Sequence, residues 1–301
     1  MAKTAYLFPG QGAQTVGMAK ELCEQTAAAR ALFDEAKVIL GYDLLDICLN
    51  GPVEKLNSTV VSQPAIFVAS LAALESLRVK EPETEKEVVA AAGLSLGEYT
   101  ALVFAGVLSF ADGLRLVRKR GEAMQAAADA TPSGMLSVLG LPLEKVEELC
   151  AKARPAGLIE VANHLCPNNI VVSGSREACD AAERLAPEVG AMKTIRLAVA
   201  GAFHTAMMKP AAATLAQALE QCQLRSAKIP VWSNVDASPH TDPAEIRGLL
   251  VRQVLQPVLW EKTMRQLLAE GVTLFYEIGP GRVLAGLMKR IDRKIEVRNF
   301  G

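Results

Sequence analysis

Excess charge is what this chain most plainly lacks. Its 301 residues carry 32 Lys and Arg against 33 Asp and Glu, a formal net charge of −1. So even a balance advertises no polyanion-binding surface, and nucleic acid is not expected as a partner, although a local basic patch for a small acidic protein stays open. The six cysteines (23, 48, 150, 166, 179 and 222) form no C-x-x-C pair and have no His at zinc-finger spacing. Neither a metal site nor a disulfide framework is indicated, and reduced thiols point to a reducing, cytoplasmic setting. No uninterrupted apolar run approaches the roughly 20 residues that span a bilayer. The opening stretch to Gly10 is too short in apolar residues for a signal peptide, so no membrane association is expected. A phosphate-binding P-loop is missing as well. The glycine loop Pro9-Gly-Gln11-Gly-Ala-Gln14 has no Gly-Lys-Ser/Thr behind it, which disfavours nucleotide binding.

What is present is apolar and periodic. Half of the residues are hydrophobic, enough for a large core in one domain or in a main domain with a small companion. Thr4–Phe8 reads as a first strand, with helical patterns at 17–39 and 63–79 and a buried strand at 87–92. Helices follow at 97–106 and 110–128. Alternating strands and helices of this kind favour an α/β fold with a mainly parallel sheet. After Thr131-Pro-Ser-Gly134 the texture changes. Strands at Met135–Leu139, Ile159–Asn163, Asn169–Ser173 and Met192–Leu197 interleave with helices at 143–153 and 175–188. This β-α-β-β-α-β order is the ferredoxin-like signature. Residues 130–198 are therefore expected to form a small inserted α+β subdomain, and residues 1–129 and 199–301 a discontinuous main domain. The latter resumes with a helix at 207–222, a strand at 230–233, a helix at 244–268, a strand at 273–277 and a C-terminal helix.

The chemistry-bearing feature is Gly93-Leu-Ser95-Leu-Gly97, which follows an apolar strand and precedes a helix. This G-x-S-x-G nucleophile elbow pushes the serine hydroxyl out of the sheet at a helix N-terminus, where orphan N–H groups favour an oxyanion. By chance the same pattern is only a serine in a glycine turn. A serine needs a base, and there are three histidines. His164 sits beside an Asn/Pro loop in the small subdomain, and His240 sits in a polar turn where a solvated role is the default. His204, in Gly201-Ala-Phe-His204, falls between a strand and a helix, a rim position over a parallel sheet where catalytic groups collect; a structural role is the alternative. No Asp or Glu stands out as a third triad member. Arg120 lies four residues from both Leu116 and Met124, which makes it the cation of its cluster on the apolar helix face. A charge there pairs with an anionic substrate or an internal carboxylate, or snorkels to the surface. Gln11, between two glycines, can offer a main-chain N–H to an oxyanion.

Several of these motifs occur together and in order: Phe8-Pro-Gly-Gln-Gly-Ala-Gln14, Gln63-Pro-Ala-Ile66, Gly93-Leu-Ser-Leu-Gly-Glu-Tyr99, Arg120-Gly-Glu-Ala-Met124, Asn163, Gly201-Ala-Phe-His204, Ser233-Asn-Val235, Gln253 to Trp260 and Glu277-Ile-Gly-Pro-Gly281. Nearly end to end, the chain resembles the malonyl-CoA:acyl carrier protein transacylases of the acyltransferase family of fatty-acid and polyketide synthesis. The resemblance implies a hydrolase-like α/β core, malonyl-CoA as substrate with no bound cofactor, and acyl carrier protein as partner; a monomer is expected, although the sequence does not identify the oligomeric state. The resemblance also implies Ser95 as nucleophile with His204 as base in a dyad, and a main-chain carbonyl near Gln253 to orient the imidazole. The N–H groups of Gln11 and Leu96 would form the oxyanion hole, Arg120 would grip the malonyl carboxylate, and Asn163, Phe203 and Gln253 would complete the substrate site. Leu94 stands where many relatives carry histidine, and Gly201 replaces the first His of the His-Ala-Phe-His form that goes with malonyl selection. Lys209, Lys289, Arg290, Arg293 and Lys294 are candidate contacts for an acidic carrier, or else ordinary solvated surface. Two other classes compete. An esterase on the same elbow is disfavoured by the lack of a His-Gly oxyanion motif and of a late histidine. A non-catalytic scaffold would not need Ser95, His204 and Arg120 together.

Overall fold

A computed structural model describes residues 3–301. Ten strands fall into two sheets: β1 (Lys3–Phe8), β2 (Val88–Gly93), β3 (Ser133–Leu139), β4 (Ile159–Cys166), β5 (Asn169–Ser175), β6 (Lys193–Arg196), β7 (Val231–Trp232), β8 (Pro239–His240), β9 (Val272–Ile278) and β10 (Glu296–Phe300). The first sheet runs β10-β9-β1-β2-β7-β8 and is parallel except for the β7/β8 pair. Side chains alternate across it. Tyr6 and Phe8 of β1 enter one apolar core, while Ala5 and Leu7 enter another on the opposite face. Helices cover both faces, which is why these strands read as continuous hydrophobic runs. The second sheet is antiparallel, in the order β4-β5-β3-β6, the order of a ferredoxin-like β-α-β-β-α-β unit. Leu136, Val138, Ile170 and Val172 face its own helices, whereas Met135, Ala162 and Val171 pack into the core of the first sheet.

Several elements differ from the periodicity reading. The helix expected at 17–39 breaks at Thr26 into Lys20–Gln25 and Ala27–Leu40. Short helices Leu44–Asn50 and Val53–Asn57 follow, and the next helix starts earlier than 63, at Thr59, with Pro64 inside it. This Thr59–Lys80 helix is long and apolar enough to cross a membrane, but 89% of its most apolar window is buried within the protein. The long helix expected at 244–268 is two helices, Pro243–Gln253 and Trp260–Ala269. Pro257 stands in the gap; it has no N–H and disfavours helical geometry at the residue before it. The edge strand β10 follows the C-terminal helix, beyond the last element that the sequence pattern predicts. All six cysteines are free thiols.

The register brings the chemistry to one edge. Phe8 lies opposite Gly93 and Ala92 opposite Trp232, so the chain leaves β1, β2 and β7 at the same carboxyl end. Loops at that edge are where ligands collect in open α/β sheets.

Candidate active site

Ser95 sits on the tight turn between β2 and the helix Gly97–Phe104. The flanking glycines are sterically enforced. A Cβ on Gly93 would lie 1.9 Å from the carbonyl carbon of Gly97, and one on Gly97 would lie 2.0 Å from the carbonyl oxygen of Phe8. Ser95 itself has φ 53°, a left-handed conformation uncommon for a residue with a side chain. It persists because both polar groups of its main chain are held. Its N–H donates to Asn234 Oδ1 at 2.6 Å, and its carbonyl accepts from Gln253 Nε2 at 3.0 Å. Asn234 also donates from Nδ2 to the carbonyl of Gly93 at 2.7 Å.

His204 arrives on the loop that follows β6, again in a left-handed conformation at φ 62°. The loop is fastened to the second sheet: Ala202 N–H donates to Ser133 Oγ, and Ala206 N–H donates to a carboxylate oxygen of Glu160. The imidazole Nε2 is 2.9 Å from Ser95 Oγ, and Nδ1 is 2.7 Å from the carbonyl oxygen of Gln253. A carbonyl can only accept, so Nδ1 carries the proton and Nε2 presents a lone pair to the serine hydroxyl. Gln253 ends its helix, so its carbonyl is one of those left without an intrahelical partner. The residue four positions on, whose N–H would have taken that bond, is Pro257. Burial, reinforced by the Arg120 cation, pushes the His204 pKa down to about 4. The ring is therefore neutral at ordinary pH and able to accept a proton.

Arg120 lies on the helix Phe110–Ala130 and is 1% exposed. Gly121 lets that helix approach Thr59 closely, since a Cβ there would lie 2.9 Å from the Thr59 carbonyl oxygen. The approach brings the guanidinium to Gln63. Nη1 donates to Gln63 Oε1 at 2.7 Å, and Nη2 donates to Ser95 Oγ at 2.9 Å and Gln253 Oε1 at 3.2 Å. Nε has no partner among the described residues, and the guanidinium lies 5.4 Å from the centroid of the Tyr99 ring. Every hydrogen-bond partner is neutral. Burial accordingly disfavours the charged form and lowers the Arg120 pKa. Glu98, 3% exposed, accepts from Asn234 N–H at 3.0 Å and Gln253 Nε2 at 2.7 Å. Burial drives its pKa up to about 7 against those two bonds.

Ser95, His204, Arg120 and Gln253 thus form one contiguous network. The N–H groups of Gln11 and Leu96 donate no hydrogen bond among the described residues. The Gln11 loop abuts the elbow, because a Cβ on Gly10 would lie 2.2 Å from the Leu94 carbonyl oxygen. Phe203 is buried in the main core. Asn163 is half-buried in β4, bridged to Val258, and its Oδ1 has no hydrogen-bond partner among the described residues; neither it nor Phe203 bonds to the serine network. His164 is half-buried elsewhere on β4. His240 is not simply solvated, since it contacts Asp236 and Glu245 at 3.0 and 3.1 Å. Glu98, Asn234 and Gln63 also belong to the network, although no local pattern in the sequence marks them. A cavity of about 300 Å³ opens beside His204, bounded by Arg154, Glu160, Leu255 and Pro257. A larger one, about 460 Å³ near Lys20, Lys80 and Gly301, touches none of these groups. Among the described residues no cluster of His, Cys, Asp and Glu could hold a metal ion.

Comparison with known proteins places this geometry in context. The acyl transferase domain family matches residues 5–297. The malonyl CoA-acyl carrier protein transacylase of Bacillus subtilis is 44% identical over 297 residues, covering 98% of this chain and 92% of its own. Among solved structures, the malonyl CoA-acyl carrier protein transacylase of Coxiella burnetii superposes with a TM-score of 0.95 at 37% identity, covering 99% of this chain and 94% of that one. A malonyl-transacylase solved in complex with its type II polyketide synthase acyl-carrier protein also gives 0.95 at 37% identity, covering 99% and 96%.

Proposed function

This chain belongs to the acyl transferase domain family, and we propose that it moves a malonyl group from malonyl-CoA to the phosphopantetheine thiol of acyl carrier protein, as a supply step of fatty-acid synthesis. One observation carries the choice of acyl group. Arg120 is a buried cation whose hydrogen-bond partners are all neutral, in direct contact with the serine hydroxyl. A planar guanidinium binds a carboxylate through two parallel hydrogen bonds, so an acyl chain ending in a carboxylate completes the site.

In the first half-reaction His204 Nε2 takes the hydroxyl proton while Ser95 Oγ attacks the thioester carbonyl. The oxyanion forms against the N–H groups of Gln11 and Leu96, which are free to donate. Collapse breaks the C–S bond, and the imidazolium returns its proton to the departing CoA sulfur. The second half runs in reverse. The carrier thiol gives its proton to His204, its sulfur attacks the malonyl ester, and the proton returns to Ser95 as the C–O bond breaks. Asn163 and Phe203 line the acyl and pantetheine path, with Phe203 narrowing it against a methyl branch.

Residues 130–198 act as a small lobe on the main domain formed by 1–129 and 199–301; a separate antiparallel sheet with its own apolar core supports this division. Lys209, Lys289, Arg290, Arg293 and Lys294 are all exposed and suit an acidic carrier protein. The enzyme works as a cytoplasmic monomer. Incubation with radiolabelled malonyl-, methylmalonyl- and acetyl-CoA in parallel tests the reading. Malonyl should label the protein at Ser95 far ahead of the other two; equal labelling by all three would overturn the malonyl assignment.

The pH dependence has a defined sign. Only neutral His204 accepts the serine proton, and its pKa is pushed down to about 4. The acid limb of kcat/KM, which reports the free enzyme, should therefore fall near pH 4 and not near the ordinary histidine value of 6.5. A malonyl carboxylate on Arg120 offsets the cation that helps to depress His204. The acid limb of kcat, which reports the complex, should then lie at higher pH than that of kcat/KM. Coincident limbs would show that substrate leaves Arg120 uncompensated.

A further inference from the structure

Three residues beyond Ser95, Glu98 occupies the first turn of the helix Gly97–Phe104. An acid in that position ordinarily faces solvent and meets the positive helix end, yet Glu98 is 3% exposed. One oxygen, Oε2, accepts both from the main-chain N–H of Asn234 and from Gln253 Nε2. These two residues hold Ser95, Asn234 at its N–H and Gln253 at its carbonyl. Gln253 has a further duty through its own main chain, which accepts from His204 Nδ1.

An amide side chain can present either end in a given direction, and what faces it decides which. Oε2 of Glu98 already takes a main-chain N–H, which can only donate, so it faces Gln253 as an acceptor. Facing Glu98, the Gln253 amide must therefore turn Nε2 inward, towards Glu98 and the Ser95 carbonyl, and leave Oε1 for Arg120. The reversed amide would set a carbonyl oxygen against a carboxylate and another carbonyl, and an NH₂ against a guanidinium. The bond from the Asn234 N–H fixes the segment that carries the acceptor for Ser95 N–H.

We propose that Glu98 is a positioning residue for the transfer reaction: as the common acceptor for Asn234 and Gln253, it locks the clamp that holds Ser95 in its left-handed conformation with Oγ aligned on His204. The inference rests on Ser95 being the acyl-bearing residue of the proposed function. Glu98 touches no reacting atom, and its effect passes wholly through the two amides.

The test uses two reagents on the full chain, malonyl-CoA and a fluorophosphonate probe; the probe reacts with an activated serine whatever acyl group the enzyme carries. Glu98→Ala should slow Ser95 labelling by the probe, and kcat for malonyl transfer, by about 100-fold, the scale expected when reacting groups lose alignment. The KM for malonyl-CoA should change far less, because Arg120 remains. Glu98→Gln keeps an oxygen able to accept both bonds and should restore most of the rate. Asn234→Ala keeps its main-chain bond to Glu98 but removes the side-chain acceptor for Ser95 N–H, so it tests the clamp itself should Glu98→Ala fail to fold; it should show the same selective loss of kcat. Wild-type labelling rates in Glu98→Ala or Asn234→Ala would overturn the role of Glu98, as would a Glu98→Gln variant no faster than Glu98→Ala. A wild-type chain labelled by the probe but not by malonyl-CoA would overturn the malonyl reading and leave the positioning role standing. A wild-type chain labelled by neither would overturn both.

Discussion

Ser95→Ala and His204→Ala should each lower malonyl transfer by ~10⁴–10⁶-fold, with the double variant no slower than either single one, because nucleophile and base act as a unit. The geometry requires this coupling. Ser95 Oγ has its proton acceptor 2.9 Å away at Nε2, and the only other group on it among the described residues is the donor Arg120, which cannot accept a proton. With His204 gone, the hydroxyl has no base within reach. With Ser95 gone, the imidazole has no oxygen to activate. What survives is the contribution of the anion-binding N–H groups and of substrate positioning. Transfer rates of the three variants, measured with purified carrier protein, check the claim. Single effects that multiply in the double variant, or near-normal rates in His204→Ala, would point to a base elsewhere.

Arg120→Ala should remove the preference for malonyl over acetyl. In the intact enzyme an acetyl group leaves the buried guanidinium unpaired. Leaving a buried charge without its partner costs about 3–5 kcal/mol, a discrimination of roughly two to three and a half orders of magnitude. Removing the cation removes that penalty, so malonyl transfer should fall by about 100- to 1000-fold while acetyl transfer holds or rises. Side-by-side kcat/KM values for the two CoA esters decide the matter, and equal proportional losses would eliminate the carboxylate-clamp role. Arg120→Lys should not rescue malonyl transfer, because an ammonium cannot reproduce the two-pronged grip and Gln63 and Gln253 are spaced for a guanidinium.

How much of this was legible beforehand follows from how each residue is positioned. The elbow was readable because Gly93 and Gly97 are required by contacts within a few residues or with the adjoining strand. Arg120 was readable because helical period alone puts it among Leu116 and Met124, and the parallel sheet because its strands are buried on both faces. Glu98 and Asn234 were not. An acid in the first turn of a helix looks like an ordinary helix-end residue, and nothing local says that Asn234, 139 positions along, will accept from the Ser95 N–H. The division of the helix at Val254–Leu259 was signalled by Pro257, but the apolar periodicity on either side masks it. β10 is an edge strand with charged residues, so it lacks the alternation that marks a half-buried one.

That interrupted helix has a genetic consequence. The acceptor that holds the histidine is a peptide oxygen, which every residue at position 253 would carry. Scanning mutagenesis of this chain would register the side chain of Gln253 and not the carbonyl that holds His204, because that participant is backbone. The substitution that can reach it lies four residues downstream: replacing Pro257 would supply an N–H able to compete for the same oxygen and draw the helix onward. A proline with no reactive group of its own is thus where a change could loosen the base while every catalytic side chain stays intact.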